Sequence, residues 1–129
     1  MSPKLKKGIP FLITVVITLL VGFMFIAILL RPQRLDIKDI DLNAVDNGEY
    51  IGICQNKILF AVVKVHIANH EIADIEILEH KASYMTQAQQ IADDVCSKQS
   101  LEVDAISGAT LTSDTVLKAV ENALKMKEK

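Results

Sequence analysis

Residues 104–113 read Asp-Ala-Ile-Ser-Gly-Ala-Thr-Leu-Thr-Ser, a run of small residues near the end of this 129-residue chain. Four of its side chains carry a hydroxyl group: Ser107, Thr110, Thr112 and Ser113. The apolar spacing of residues 114–126 predicts an amphipathic helix directly after this run. The first N–H groups of such a helix have no acceptor inside the helix and must be satisfied from the preceding turn or by a ligand.

Two explanations account for a hydroxyl-rich turn before a helix. Thr112 or Ser113 can cap the helix by accepting a hydrogen bond from one of its first amides. Alternatively, the free amides and the positive end of the helix dipole bind a phosphate group. For an isolated Ser-Gly-Ala-Thr segment capping is the more common case, so a longer pattern is needed to choose between the two.

The longer pattern Asp-x-x-Ser-Gly-Ala-Thr-x-Thr-Ser, followed by an alanine-rich helix, resembles the FMN-binding domain family. That family includes the flavin subunits of the Rnf electron-transport complex and of the sodium-pumping NADH:quinone oxidoreductase. The resemblance implies that FMN is esterified through its phosphate to Thr110 by a flavin transferase, which takes the flavin from FAD. It also implies that the transferase recognises the flanking positions Asp104, Ser107, Gly108 and Ala109.

Three further residues complete the predicted cofactor-binding segment: Leu111, Thr112 and Ser113. Thr112 is the competing acceptor hydroxyl and ranks behind Thr110. Contacts with the flavin ring are possible for four apolar or aromatic side chains, although packing is the commoner role of such residues. They are Tyr50, Tyr84, Met85 and Leu111.

The sequence departs from the family just before the first domain helix. Many members carry His or Gln there and then Glu-Thr, whereas here His80 and Lys81 are followed by Ala82 and Ser83. We predict that His80 is an exposed residue at the end of a strand, and that the other two histidines are exposed as well. No histidine pair has the spacing of a metal site, and no nucleophile–base arrangement or supported carboxylate pair indicates a catalytic residue.

Residues 9–30 form a run of 22 residues without a charge, which is long enough to cross a bilayer as a helix. The run ends at Arg31-Pro32 without a small-residue cleavage site, which favours an uncleaved signal anchor over a signal peptide. The predicted organisation is a cytoplasmic tail over 1–8, a transmembrane span over 9–30, a linker over 31–45 and an FMN-binding domain over 46–127.

Charge distribution suggests which side of the membrane carries the domain. Basic residues near the span are almost evenly divided between its two ends. The three lysines before it have no acidic neighbour, however, and all 16 acidic residues lie after position 35. We therefore predict a single-pass protein of the cell membrane with its C-terminal domain on the extracytoplasmic side. Residues 36–129 have a formal charge of −7, which argues against binding to nucleic acid.

Alternating apolar residues predict three strands, over residues 49–54, 58–68 and 72–78. Asn69-His70 suits a two-residue hairpin turn, although a longer loop is also open. Gly52 within the first strand indicates a bulge or a close approach by another group. Residues 35–42 alternate as well and are either a short strand or a tether.

The predicted fold class is α+β: one N-terminal transmembrane helix, then a small domain with an antiparallel sheet and two helices. The sheet is expected to have one polar, solvent-facing side. Thr86 and Gln89 form a capping box that opens the first domain helix, which should end near residues 97–100. Cys54 and Cys96 are too few for a disulfide framework, and buried thiols are favoured over a bridge.

The leading functional hypothesis is a membrane-anchored extracytoplasmic electron-transfer flavoprotein that carries FMN covalently on Thr110. It would be a short, single-domain version of the Rnf and sodium-pump subunits. Its predicted partners are membrane lipid, a flavin transferase and redox proteins. The alternative is a flavin-free accessory or assembly subunit of a membrane redox complex. A stand-alone flavin enzyme ranks last, because so small a domain has little room for a separate substrate pocket.

Overall fold

The structure, a computed structural model, describes the backbone of residues 3–125 and the side chains of residues 8–125. The chain divides into two compact units, one ending at Arg31 and the other beginning at Pro32. Residues 1–2 of the predicted tail lie outside the described range, and so do residues 126–127 of the predicted domain.

The first unit is helix α1 (Pro3–Leu29). Its segment Gly8–Leu29 has a mean hydropathy of 3.0 and 22 residues, so by length and composition it is a candidate membrane span, as predicted. The hydroxyl of Thr14 donates to the carbonyl of Pro10 at 2.8 Å, and that of Thr18 donates to the carbonyl of Thr14 at 2.9 Å. These bonds satisfy polar groups that an apolar solvent would leave unpaired.

The second unit contains a three-stranded antiparallel sheet in the order β1-β2-β3. The strands are β1 (Gly48–Asn56), β2 (Leu59–Ala68) and β3 (Glu71–Glu79), which confirms the three predicted strands. Val63, Val65 and Ile67 of β2 are at most 1% exposed and form the centre of the buried face. Asn69 and His70 take φ values of 54° and 59°, so the predicted two-residue hairpin forms with both residues left-handed.

Two helices cover the inner face of the sheet, which confirms the α+β class. Helix α2 (Met85–Lys98) packs against β3, and helix α3 (Thr110–Lys125) packs across β1 and β2. A short 3₁₀ turn over Ala82–Tyr84 runs straight into α2. The predicted capping box at Thr86 is therefore wrong, because Thr86 already lies inside the helix.

Gly52 marks the closest contact between β1 and α3. A Cβ atom at this position would lie 1.9 Å from the carbonyl oxygen of Ala119 and 2.7 Å from the Cβ of Ala123. The predicted close approach is confirmed, and the approaching group is the backbone of α3. The absence of a side chain at Gly52 therefore sets the distance between this helix and the sheet.

Residues 33–41, here called the strap, run along α3 and form no strand. The main-chain N–H of Leu35 donates to Oδ2 of Asp114 at 3.1 Å, and Arg34 Nε donates to the same oxygen at 2.6 Å. Asp114 is only 4% exposed. The strand alternative for residues 35–42 fails because the main-chain N–H groups of Leu35 and Lys38 bond to side-chain carboxylates of α3 and not to the backbone of a neighbouring strand.

A second buried carboxylate fixes the middle of the strap. Glu121 is 1% exposed, and its Oε1 accepts from the main-chain N–H of Lys38 at 2.6 Å. Its other oxygen forms an ion pair with Lys118, one turn earlier on α3. Buried carboxylates are tolerated where a cation and hydrogen-bond donors compensate their charge. The predicted linker segment is thus attached to α3 along much of its length.

We expect Asp114→Ala to lower the free energy of unfolding by about 2–3 kcal/mol, because two charge-assisted hydrogen bonds to the strap are lost. Urea denaturation of the full chain in detergent measures this change. Asp94→Ala, at an exposed position of α2, should stay within about 0.5 kcal/mol of the wild type. Equal stability of the two variants would show that the strap is not held by Asp114.

The two cysteines are free thiols. Cys54 on β1 is buried and Cys96 on α2 is half-buried. Burial raises the pKa of both thiols, so little of either is present as the reactive thiolate near neutral pH. The preference for thiols over a bridge is confirmed.

The outer face of the sheet is exposed, as predicted, but it is polar over only part of its area. Glu49, Lys64 and His66 form a charged region toward the start of β1. From Ile51, which pairs with Lys64, to the β1–β2 turn, this face carries exposed large apolar side chains. This apolar end consists of Ile51, Ile53, Ile58, Phe60 and Leu78.

Candidate functional site

The predicted Ser-Gly-Ala-Thr segment forms a tight turn that ends in the first residue of α3. Gly108 has a φ of 78°, a conformation that favours glycine. The N–H of Ala109 donates to the carbonyl of Ile106 at 2.9 Å, and the N–H of Ser113 donates to the carbonyl of Ala109 at 2.9 Å. The amides of residues 110–112, which open the helix, therefore have no helical acceptor and remain available to a ligand.

The hydroxyls of Ser113 and Thr112 are occupied inside the domain. Ser113 is fully buried, and its Oγ donates to the carbonyl of Ala109 at 2.8 Å and accepts from the N–H of Ile106 at 2.9 Å. Thr112 is 2% exposed. Both residues lie inside α3, which begins at Thr110, so the hypothesis that one of them caps the helix is wrong. The predicted start at residue 114 was too late because residues 110–113 are mostly polar and give no apolar periodicity.

The other two hydroxyls of the segment are accessible. Thr110, the first residue of α3, is half-buried, and Ser107 in the turn is exposed. Asp104 and Gly108 are exposed as well. The acceptor and most of the flanking positions implied by the family resemblance therefore lie where a modifying enzyme can reach them.

Thr110 lines a cavity of about 390 Å³. Its walls combine apolar side chains, one aromatic ring and one cation. The other lining residues are Pro32, Ile58, Leu59, Lys81, Tyr84, Gly108, Ala109, Leu111 and Thr112. This composition suits a ligand with a phosphate group at one end and a flat, largely apolar ring system at the other.

Lys81 provides the positive charge among the lining residues. Its Nζ lies 5.8 Å from the centroid of the Tyr84 ring, within the range of a cation–π contact. The 3₁₀ turn that joins the two residues is closed by a hydrogen bond from the N–H of Tyr84 to the carbonyl of Lys81, at 3.0 Å. A lysine near the free amides of a helix start reinforces the preference of this site for an anion.

His80 connects the sheet to α3 behind the cavity. Its Nδ1 lies 2.9 Å from the carbonyl oxygen of Phe60, so Nδ1 carries the proton and donates it. Its Nε2 lies 3.3 Å from Oγ1 of Thr112 and accepts from that hydroxyl. Desolvation lowers the pKa of His80, although the bond to Phe60 opposes this effect. The neutral tautomer thus fits both contacts.

The prediction that His80 is an exposed strand-end residue is wrong, whereas the predicted exposure of His66 and His70 is confirmed. The register of the sheet brings the end of β3 beside Phe60. The His80 imidazole contacts the Phe60 carbonyl on one side and Thr112 of α3 on the other. Sequence alone does not reveal this contact, because the partner Thr112 lies 32 positions away.

We expect the domain to lose stability as the pH falls from 7.5 to 5, and His80 to contribute to this loss. Because its pKa is lowered in the folded state, the unfolded chain binds a proton near the ordinary value of 6.5 while the folded chain resists it. Thermal unfolding at a series of pH values should show a smaller loss for His80→Gln. The exposed control His66→Gln should keep the wild-type profile, and identical profiles for all three proteins would exclude this role.

The structure brings together two of the four proposed ring contacts. Tyr84 and Leu111 line the cavity with Thr110. Tyr50 does not line it, and its hydroxyl donates to the carbonyl of Asp46 at 2.5 Å. Met85 lies in a separate surface depression on α2.

Four lining residues were not identified from the sequence: Pro32, Ile58, Leu59 and Lys81. They come from the residue just before the strap, from the β1–β2 turn with the first residue of β2, and from the segment after β3. The packing of α3 on the sheet gathers them around Thr110. Only Lys81 had a local signal, because it follows His80, a position at which many family members carry His or Gln.

Comparisons with known proteins identify the family of this chain. Residues 60–125 match the family model of the FMN-binding domain, a range that includes Thr110. The chain is 32% identical over 80 residues to a protein of Klebsiella pneumoniae (strain 342) named NADH:fumarate oxidoreductase. The match covers 60% of this chain but 9% of that relative, which is a much longer protein.

Proposed function

The chain belongs to the FMN-binding domain family, and from that membership together with the apolar helix α1 we propose that it is a membrane-anchored electron-transfer flavoprotein with FMN esterified to Thr110. One observation carries the choice of residue. Thr110 is accessible, lines the cavity and begins α3, whereas the hydroxyls of Thr112 and Ser113 are buried and hydrogen-bonded.

The attachment is a phosphoryl transfer that leaves the redox state of the flavin unchanged. A bond forms between Oγ1 of Thr110 and the FMN phosphorus of FAD, the pyrophosphate bond breaks, and AMP leaves as the hydroxyl loses its proton. The side chains of residues 8–125 show no arrangement that would catalyse this step, so a flavin transferase is its proposed partner. The remaining phosphate charge would be held by the amides of residues 110–112 and by Lys81.

FMN, once attached, supplies one- and two-electron redox chemistry. The chain's own residues hold and shield it. Tyr84, Leu59 and Leu111 offer apolar and aromatic surface for the ring, and Lys81 offers a charge that favours an anionic group nearby. Because the cavity holds no second set of convergent polar side chains, a carrier that exchanges electrons with other redox proteins fits better than an enzyme with its own substrate.

The proposed location is the cell membrane, with the domain on the extracytoplasmic side. Helix α1 supports the anchoring, and the three closely spaced lysines just before the span support the orientation. Outside the cytoplasm an ester bond prevents the loss of a cofactor that could not be replaced there. Protease added to sealed, right-side-out cells should digest the domain, whereas protection until the membrane is ruptured would reverse the orientation.

Intact-mass analysis tests the cofactor proposal. The full chain is coexpressed with a flavin transferase, and a known flavinylated domain serves as the positive control in the same cells. We expect a gain of one FMN less one water in membrane-bound protein, and an unmodified mass without the transferase. An unmodified chain beside a modified control would contradict the proposal and favour the flavin-free accessory subunit.

A further inference from the structure

The apolar end of the sheet is an unusual surface for a small acidic domain. Ile58 is 63% exposed, Ile53 61% and Phe60 43%. In the part of the second unit that the structure describes, every exposed large hydrophobic side chain belongs to this one end. Ile53 pairs with Val62 across the strands, and Phe60 lies two residues before Val62, so the exposed groups form a continuous patch. Such a patch usually marks a contact surface.

The strand end beside this patch is bonded to a residue that follows the candidate membrane span closely in the sequence. The N–H of Gln33 donates to Oδ1 of Asn56 at 3.0 Å, and Nδ2 of Asn56 donates to the carbonyl of Gln33 at 2.6 Å. Asn56 is 5% exposed and is the last residue of β1, next to the β1–β2 turn. Helix α1 ends at Leu29, four residues before Gln33. Four extended residues measure at most about 14 Å, so only a short length of chain joins the end of α1 to this bonded pair.

The end of the sheet that is bonded to Gln33 is also the end that carries exposed lysines. Lys57 in the β1–β2 turn and Lys81 after β3 are exposed beside the apolar end, where Glu79 is the acidic neighbour. At the other end of the sheet, Lys64 forms ion pairs with both Glu49 and Glu76. Because Glu71 and Asp74 are also exposed there, that end keeps an excess of acidic groups. Anionic lipid headgroups would attract the lysine-bearing end and repel the acidic end.

We propose that the apolar end is a membrane-contact surface that enters the headgroup region of the leaflet beside the chain's own anchor. Ile58 and Phe60 supply the apolar contact, and Lys57 supplies a basic group for lipid phosphates. This inference rests on the membrane anchoring in the proposed function, but it does not depend on the flavin. Ile58 and Lys81 also line the Thr110 cavity, so the contact would hold the cofactor site at the bilayer surface and select redox partners in or on the membrane.

The chain contains no tryptophan, so a single introduced indole reports on its own surroundings. Phe60→Trp places the reporter in the apolar end. His66→Trp is the matched control, six residues along the same strand on the same face and roughly 20 Å away. Both full-length, flavin-free variants are reconstituted at low density into vesicles of phosphatidylcholine and phosphatidylglycerol with brominated acyl chains. We expect a blue-shifted emission and at least about twofold stronger quenching for Phe60→Trp.

A second substitution tests the cause of the contact. Ile58→Asp, introduced with Phe60→Trp, should weaken the quenching by brominated lipid, and its exposed position leaves the core intact. Equal quenching of Phe60→Trp and His66→Trp would overturn the inference. A blue shift that grows with protein density and is insensitive to brominated lipid would also overturn it, because it indicates contact between two copies.

Vesicle flotation separates a failure of this inference from a failure of the anchoring. A chain that floats with the vesicles but shows no selective quenching contradicts the membrane-contact surface alone. A chain that does not float contradicts the anchoring on which the inference depends.

Discussion

Thr110→Ala is expected to abolish covalent flavin while the domain stays folded. The substitution removes the one hydroxyl of the segment that begins α3, lines the cavity and is free of buried hydrogen bonds. Because Thr110 is only half-buried, its loss should cost little stability. Intact mass after coexpression with the transferase should show the unmodified chain. On a denaturing gel, the protein band should lack flavin fluorescence.

Thr112→Ala is the matched control for this experiment. It removes the competing hydroxyl two residues away, and with it the contact to Nε2 of His80 at 3.3 Å. We expect it to retain the flavin and to lose about 1 kcal/mol of stability, the usual contribution of one hydrogen bond. Retention of flavin by Thr110→Ala together with its loss from Thr112→Ala would move the attachment site to Thr112.

Gly52→Ala is expected to destabilise the domain by about 3 kcal/mol or more, through overpacking at the β1–α3 contact. The added Cβ would lie 1.9 Å from the carbonyl oxygen of Ala119, and real Cβ contacts essentially never fall below 3.0 Å. The obstacle is helix backbone, which cannot move aside as a flexible side chain can. Urea denaturation of the full chain in detergent measures the loss.

The control for Gly52→Ala is Gln55→Ala, an exposed position on the same strand. It should remain within about 0.5 kcal/mol of the wild type. Because α3 begins with Thr110, displacement of this helix should also reduce flavin attachment. Gly52→Ala is therefore expected to lose both stability and flavin. Thr110→Ala is expected to lose the flavin alone. Wild-type stability of Gly52→Ala would contradict the close seating of α3 on β1.

The strands were predictable because their burial follows a simple alternation. Val63, Val65 and Ile67 face the core, and Lys64 and His66 face outward, so period-two patterning identifies β2 directly. The start of α3 was missed because Thr110 to Ser113 are mostly polar. Hydrophobic periodicity locates the buried stripe of a helix and does not report on its first turn.

The strap was missed for a different reason. Arg34 and Asp114 are 80 positions apart, and nothing in either local sequence indicates the other. A carboxylate on an amphipathic helix is normally exposed, so the burial of Asp114 and Glu121 is visible only once the helix has been placed.

The sequence singled out residues 108–112 and Tyr84 of the cavity lining, but not the other four lining residues. The family resemblance singled out Thr110, and the structure places it in a cavity at the start of α3. Ile58, Leu59 and Lys81 reach the same cavity from other segments, through the packing of α3 against the sheet. Their roles depend on that packing and have no sequence motif of their own.

The most direct test of the account is tandem mass spectrometry of this chain isolated from the membranes of its native host. Fragmentation of the peptide that contains residues 104–113 is expected to place one FMN, joined through its phosphate, on Thr110. A native peptide with Thr110 unmodified, or with the flavin on another residue, would contradict the central claim.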